Sequence, residues 1–75
     1  MSNDYATKII GRLGDDGPVL ATFDLTDRAG AVAWAEGFSR TGFLRCAELL
    51  HPKVGRVQSF RDGVASKYNR WAEVS

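Results

Sequence analysis

The stretch that decides the fold is residues 5–26, which read YATKIIGRLGDDGPVLATFDLT. Apolar and polar side chains alternate with a period of two in residues 5–13 and again in residues 19–26. Alternation of this kind is typical of half-buried β-strands. Residues 14–18, between the two runs, contain two glycines and a proline, which favour a tight turn. The sequence therefore predicts an antiparallel hairpin.

One register of this hairpin satisfies both packing and charge, and register is strongly specified wherever one face of a sheet is buried. The predicted cross-strand pairs are Leu13 with Val19, Ile9 with Phe23, and Lys8 with Asp24.

A helix is predicted after the hairpin. Thr26 or Asp27 can serve as its N-cap, because a side-chain oxygen there accepts from a free backbone N–H. Gly30 and Gly37 weaken the helix, so packing must stabilise it, and we expect these glycines to allow a close approach to the sheet. Gly42 lies where a glycine ends a helix. The predicted apolar stripe, at positions i, i+3, i+4 and i+7, is Ala31, Trp34, Ala35 and Phe38.

Residues 43–50 fit either a helix or a strand. Leucine, alanine, glutamate and arginine in this segment favour a helix by propensity. Pro52 and Gly55, however, form a turn signal directly after the segment, and a second apolar run follows. We therefore favour a strand.

The strongest short-range hairpin signal is Asp62-Gly63, between predicted strands at 56–60 and 64–71. Two registers fit, and a change of one residue exchanges the buried and exposed faces. A two-residue turn pairs Arg61 with Val64 and Val57 with Tyr68, whereas a three-residue turn pairs Phe60 with Val64.

The predicted order of elements is ββαβββ, which is an α+β fold. It consists of a mostly antiparallel sheet of four to five strands with one helix packed on one face. The 75 residues suffice for one domain, 1–75, and we expect residues 1–4 and 72–75 to fray.

Composition favours a soluble protein of a reducing compartment. Cys46 is the only cysteine, so an internal disulfide is excluded. The first residues lack the basic and apolar segments of a signal peptide, and no apolar run approaches the ~20 residues that span a bilayer. We expect a cytoplasmic protein that does not enter the membrane.

The residues that commonly carry catalysis are few. His51 is the only histidine, and nothing in the sequence brings it near Cys46. One histidine and one cysteine fall short of the ligand set of a metal site. Asp15 and Asp16 are adjacent acids in a predicted turn, where they supply turn hydrogen bonds. We predict no catalytic residue, no metal site and no cofactor, and we expect that the protein is not an enzyme.

Basic and aromatic side chains are interleaved in the C-terminal hairpin. Residues 45–75 carry six basic and three acidic side chains, whereas residues 1–44 carry four basic and six acidic ones. Single-strand nucleic-acid binders combine cations with flat rings, although strand alternation alone gives the same pattern. A pI of about 7.9 is low for such a binder. The candidate residues are Arg56, Phe60, Arg61, Lys67, Tyr68, Arg70 and Trp71.

One face of the predicted sheet has no helix to cover it. A helix of about 15 residues covers about 22 Å of a sheet, on one face only. The other face is expected to carry Ile10 and Leu20, with further apolar side chains from the second hairpin, and exposed apolar surface of this kind marks binding sites. The leading hypothesis is a non-enzymatic protein that docks this face, or a sheet edge, onto a larger protein partner or a second copy of itself. Adaptors, accessory subunits and phage-type or mobile-element-type inhibitors are proteins of this size and kind. The alternative is a single-stranded nucleic-acid-binding module.

Overall fold

The computed structural model describes residues 8–13, 17–42 and 44–74. The described residues form one five-stranded sheet, whose strand order is β2-β1-β3-β4-β5 and whose neighbours are all antiparallel. The ββαβββ α+β fold is confirmed. Its elements are β1 (Lys8–Arg12), β2 (Val19–Asp24), α1 (Arg28–Thr41), β3 (Cys46–His51), β4 (Gly55–Arg61), β5 (Val64–Ala65) and a 3₁₀ turn (Trp71–Glu73).

The first hairpin has the predicted register over most of its length. Ile9 lies opposite Phe23, and Lys8 lies opposite Asp24 and forms an ion pair with it. A bulge between Gly11 and Arg12 shifts the pairing, so that Arg12 rather than Leu13 lies opposite Val19. Most of the predicted turn, together with Asp15 and Asp16, falls on residues 14–16, outside the described part of the chain. The expected fraying of residues 1–4 also lies outside it.

Helix α1 begins and ends close to the predicted positions. Asp27 is the N-cap, and its Oδ1 accepts a hydrogen bond from the Gly30 N–H at 3.0 Å. The Gly42 N–H donates to the Phe38 carbonyl at 2.6 Å and ends the helix. Gly42 has a φ of −70°, so the helix ends in extended backbone, and the left-handed conformation of a glycine cap is not used.

The close approach between helix and sheet occurs at a strand glycine, not at the helix glycines. A Cβ on Gly11 would lie 2.4 Å from Trp34, whereas a Cβ on Gly37 would meet nothing within 4 Å. Trp34 therefore packs over the backbone of β1, and its ring stacks on Phe38 with the centroids 5.1 Å apart. The prediction that the helix glycines allow this approach is wrong, because the space is provided by Gly11.

The segment with ambiguous propensity is a strand, as predicted. Cys46–His51 forms β3 in the middle of the sheet, where it pairs with β1 and β4. Gly55 has a φ of +89°, which is the left-handed conformation expected of a glycine after this turn. A central position explains why burial overrides helix propensity here.

The second hairpin has the two-residue turn, but its last strand is much shorter than predicted. Arg61 pairs with Val64, and Asp62 and Gly63 have φ values of 54° and 82°. β5 ends at Ala65. Beyond it the Ser66 hydroxyl accepts from the Ser59 N–H at 3.3 Å and donates to the Tyr68 carbonyl at 2.7 Å, which turns the chain. The predicted strand 64–71 is therefore wrong after Ala65, and so is the pairing of Val57 with Tyr68.

The C-terminal segment completes the core on the helix side of the sheet. Trp71 is 5% exposed, and its Nε1 donates to Gln58 Oε1 at 2.8 Å. The Arg28 guanidinium lies 4.9 Å from the centre of the Trp71 ring. Within residues 72–74, which are expected to fray, Val74 is buried in the same cluster, whereas Ala72 and Glu73 are exposed. The buried apolar members of this cluster are Ile9, Ala31, Ala35, Ala47, Leu49, Val57, Phe60, Trp71 and Val74.

Candidate functional site

The structure separates the side chains that the sequence predicts for binding. Phe60 and Trp71 lie in the core and present no ring to the surface. Arg56, Arg61, Lys67 and Tyr68 are exposed, and Ile10 is half-buried, while Leu20 is 41% exposed on β2. The interleaved basic and aromatic surface that the sequence suggests is therefore reduced to cations and the one ring of Tyr68.

Arg70 is occupied by contacts within the chain. Its Nε and Nη2 donate to the Glu73 carboxylate at 2.9 and 2.8 Å, and its Nη1 donates to the Val54 carbonyl at 2.9 Å. The hydrogen bonds from Arg70 hold the pKa of Glu73 below its ordinary value of 4.5, and Glu73 raises the pKa of Arg70. Because the Arg70 N–H also donates to the Val57 carbonyl, this residue fastens the C-terminal segment to β4.

The sheet face turned away from α1 is polar at its centre. Arg12 and Glu48 are cross-strand partners, and Glu48 Oε2 accepts from Arg56 Nη1 at 3.0 Å. The Glu48 side chain is only 15% exposed. Within the described part of the chain, Arg12 Nε and Glu48 Oε1 are buried and have no hydrogen-bond partner. Charged side chains thus occupy the middle of this open face.

The sequence predicts a more apolar open face, with either Phe60 and Trp71 or Val57 and Tyr68 on it. Neither pair lies there, because Val57, Phe60 and Trp71 all belong to the core on the helix side. The cause is a bulge in β4, where Val57 is the extra residue between the partners of Leu49 and Leu50. A bulge lets neighbouring residues point to one face, so both Val57 and Phe60 reach the core.

A shallow cavity of about 620 Å³ runs along β3, β4 and β5 on the open face. It is lined by side chains of both charges, including Glu48, Arg56 and Arg61, and by polar groups such as Ser59. Cys46 is half-buried at the same place, and its Sγ lies 3.8 Å from the Leu13 carbonyl. The thiol is therefore partly shielded from solvent.

His51 and Cys46 lie at opposite ends of β3. The strand runs Cys46–His51, so their backbones are about 16 Å apart at about 3.3 Å per residue. His51 is 5% exposed, and its Nδ1 accepts from the Lys53 N–H at 3.1 Å. Among the residues that the structure describes, no three His, Cys, Asp or Glu side chains are grouped so as to hold a metal ion.

The two edges of the sheet differ in how far they are covered. β5 and residues 66–70 run along the outer side of β4, and Ser66 and Arg70 donate backbone hydrogen bonds to it. On the other edge, β2 pairs only with β1 in the described part of the chain. Val19 is 51% exposed and Leu20 is 41% exposed there. An uncovered apolar strand edge is a site at which another extended chain can pair.

Two features of the surface are not predictable from the sequence. A sheet edge is predicted as a docking site, but element order does not reveal that β2 is the outermost strand. The fold also brings Arg40 and Arg45 to the Asp62–Gly63 turn beside Arg61. No periodic signal marks these arginines, because they belong to a helix end, a loop and a strand.

No helix in the described residues is long and apolar enough to cross a membrane. Comparison with known proteins gives no matching family model, no matching curated protein and no matching solved structure.

Proposed function

We propose that the protein is a non-enzymatic interaction protein that binds a partner polypeptide along the β2 edge of its sheet. The observation that carries this proposal is the outer side of β2, with which no other described strand pairs and where Val19 and Leu20 are exposed. Natural edge strands are commonly protected by charged side chains, proline, a β-bulge or a covering segment. The β2 sequence VLATFD contains neither lysine nor proline, and its bulge lies at Leu20, so that residues 21–24 keep a regular pairing with β1.

The chemistry of the edge specifies the kind of strand it would accept. Main-chain N–H and C=O groups supply affinity in strand addition, and alternate side chains supply specificity. On the helix side, the ring centroids of Phe23 and Trp34 are 6.0 Å apart, so the border of the β2 edge is apolar there. On the open side, Asp24 pairs with Lys8, which makes a polar one. An amphipathic strand, apolar on one face and polar on the other, fits this edge.

A second copy of the chain has such a strand in β2 itself. Antiparallel pairing of two β2 strands about Ala21 sets Val19 opposite Phe23 and Leu20 opposite Thr22. Both pairs are compatible with strand packing, so a homodimer is one form that this binding would take.

The test compares Leu20→Lys with Leu20→Thr, a β-favouring neutral control at the same position. A charge on an edge strand opposes further pairing. Each variant and the wild type serve as bait in the native host, and captured proteins are quantified by mass spectrometry. We expect one partner whose recovery falls by roughly tenfold with Leu20→Lys and is retained with Leu20→Thr, corresponding to about 1.4 kcal/mol.

Light scattering of the three purified proteins measures their molar masses and so tests whether the partner is a second copy of the chain. A dimer that dissociates only in Leu20→Lys identifies the partner as a second copy. If the wild type is monomeric and the captured proteins do not differ between the two variants, the β2 proposal is wrong.

A second candidate function is single-stranded nucleic-acid binding on the open face. One observation favours it: Arg56 lines three neighbouring cavities of about 620, 500 and 190 Å³, and two of these also include Tyr68. Tyr68 is 74% exposed, and Lys67 next to it is also exposed. The burial of Phe60 and Trp71 counts against this candidate, because base stacking then depends on one ring.

Fluorescence anisotropy with a labelled oligothymidine tests this candidate. We expect binding that weakens steeply with salt, is lost by roughly tenfold in Tyr68→Ala and is kept in Tyr68→Phe, because stacking contributes about 1–3 kcal/mol per base. Absence of binding at low salt would exclude it.

A further inference from the structure

We infer that the end of the sheet around the Asp62–Gly63 turn is a second docking surface, which binds an acidic, partly apolar segment of a protein partner. This inference goes beyond the β2 edge, which lies on the far side of the five-stranded sheet. We call this region the turn-end surface. Its members are Arg40, Leu44, Arg45, Arg61 and Val64.

Backbone hydrogen bonds hold Arg45 beside the turn. The Asp62 N–H donates to the Arg45 carbonyl at 3.0 Å, and the Arg45 N–H donates to the Gly42 carbonyl at 3.2 Å. Arg45 has a φ of 57°, a left-handed conformation that is uncommon for a residue other than glycine. Such outliers persist where the surrounding structure enforces them, often at functional sites. Here the conformation fixes a guanidinium-bearing residue next to a strand end.

Arg40 reaches the same turn from the helix. The Gly63 N–H donates at 2.9 Å to the hydroxyl of Ser39, which is fully buried. A Cβ on Gly63 would lie 2.9 Å from Arg40 Nε, so the Arg40 side chain lies against this glycine. Ser39 thus joins the helix end to the hairpin turn and brings Arg40 to the turn-end surface.

Arg61 supplies the third cation from the last position of β4. It lies opposite Cys46 of β3, the residue after Arg45. Arg40, Arg45 and Arg61 therefore come from three segments whose backbones converge at one turn. Asp62 lies in the turn itself, and Glu48 lines the open-face cavity that Arg61 also borders.

These three arginines differ from Arg56 and Arg70, which form ion pairs with glutamates. For Arg40, Arg45 and Arg61, all of which are exposed, the described part of the chain provides no ion pair or side-chain hydrogen bond. Arginine is weakly hydrated, pairs with carboxylates in a bidentate manner and is enriched in protein interfaces. An uncompensated cluster of arginines favours an anionic partner.

The apolar members favour a protein over a nucleic acid. Leu44 is 53% exposed and Val64 is 69% exposed, beside the arginines in sequence or across the hairpin. None of the described residues of this surface carries an aromatic ring, which single-strand binders use for stacking. Tyr68 borders the cavity at Gly55, at the other end of β4. Aliphatic side chains with arginines fit carboxylates interspersed with leucine or valine.

The test measures the affinity of the 75-residue protein for a fluorescein-labelled peptide at low salt. The peptide has about twelve residues and alternates pairs of glutamates with leucine. The triple variant Arg40→Gln, Arg45→Asn, Arg61→Gln removes the cations, and asparagine is chosen because it tolerates the left-handed conformation. We expect the wild type to bind and the triple variant to lose roughly tenfold in affinity, since it lacks three exposed cations that would each pair with a carboxylate of the peptide.

A charge-matched control removes three exposed cations elsewhere, by Lys53→Gln, Lys67→Gln and Arg28→Gln. This control and Leu20→Lys are expected to bind the peptide as the wild type does. Equal losses in the control and the triple variant would overturn the inference, because net charge would then explain binding. Binding of an oligothymidine through the same three arginines, at equal or higher affinity, would also overturn it, as would the absence of peptide binding.

Discussion

The two hairpins of this protein differ in how the turn signal relates to the length of the paired strands. The first has a long turn segment, yet its strands pair over five residues of β1, and no other strand in the described part of the chain pairs with the outer side of β2. The second has the strongest turn signal, Asp62-Gly63, but its returning strand is two residues long. After Ala65 the chain leaves the sheet and inserts Trp71 into the core. A turn signal thus predicts the turn, while the length of the strand depends on where its apolar residues are buried.

The largest expected effect tests whether the second hairpin depends on the segment that follows it. Trp71→Ala removes a core ring and leaves Gln58 Oε1 without the indole donor. Large-to-small changes of this kind destabilise by about 3–5 kcal/mol, which is most of the stability of a domain of this size. Urea unfolding followed by circular dichroism measures the change.

Tyr68→Ala is the matched control, because Tyr68 is 74% exposed in the same segment. Its expected effect is within about 0.5 kcal/mol. If Trp71→Ala proves as mild as this control, the C-terminal segment is dispensable and the contrast between the hairpins fails.

A smaller effect is expected where the first hairpin meets the helix. Gly11→Ala forces a Cβ to within 2.4 Å of Trp34, and overpacking of this kind costs about 1–3 kcal/mol. Gly37→Ala, on the open side of the helix, should instead stabilise by up to about 1 kcal/mol. Thermal unfolding measures both changes, which are a lower melting temperature for Gly11→Ala and a higher one for Gly37→Ala. A Gly11→Ala variant as stable as the wild type would show that Trp34 can move off β1.

The smallest effect concerns the clamp between Arg70 and Glu73. Because the folded-state pKa of Glu73 is lowered, the unfolded chain takes up the proton first as the pH falls. The stability that the pair contributes is present at neutral pH and is lost below the ordinary pKa of 4.5. The difference in urea midpoint between wild type and Glu73→Gln should therefore shrink from pH 7 to pH 3. A difference that does not change with pH would mean that the ion pair does not form in solution.

Local patterns predicted most of the fold. Period-two alternation gave the pairing of Ile9 with Phe23, the cap position gave Asp27, and the turn signal after His51 showed that β3 is a strand. The sequence did not predict the extra residue in β4, because a bulge has no compositional mark and changes the face of every residue beyond it. Val57 and Phe60 are three apart, so regular alternation cannot place both in the core.

The candidate surfaces were less predictable than the fold. Leu20 was identified as exposed from its strand face, but the edge position of β2 follows from β1 pairing with β3, which is a long-range choice. The turn-end arginines meet only because Ser39 binds the turn from the helix. Such proximity depends on tertiary contacts that no window of the sequence contains.

The burial of Trp71 and Val74 has a consequence for synthesis on the ribosome. β1 is made early, yet one of its two neighbours, β3, follows more than 30 residues later, and the core beneath the sheet closes only with residues near 74. The chain must therefore emerge from the exit tunnel almost to Val74 before the fold is complete. Until then the core residues of β1 and α1 lack their contacts with Trp71 and Val74.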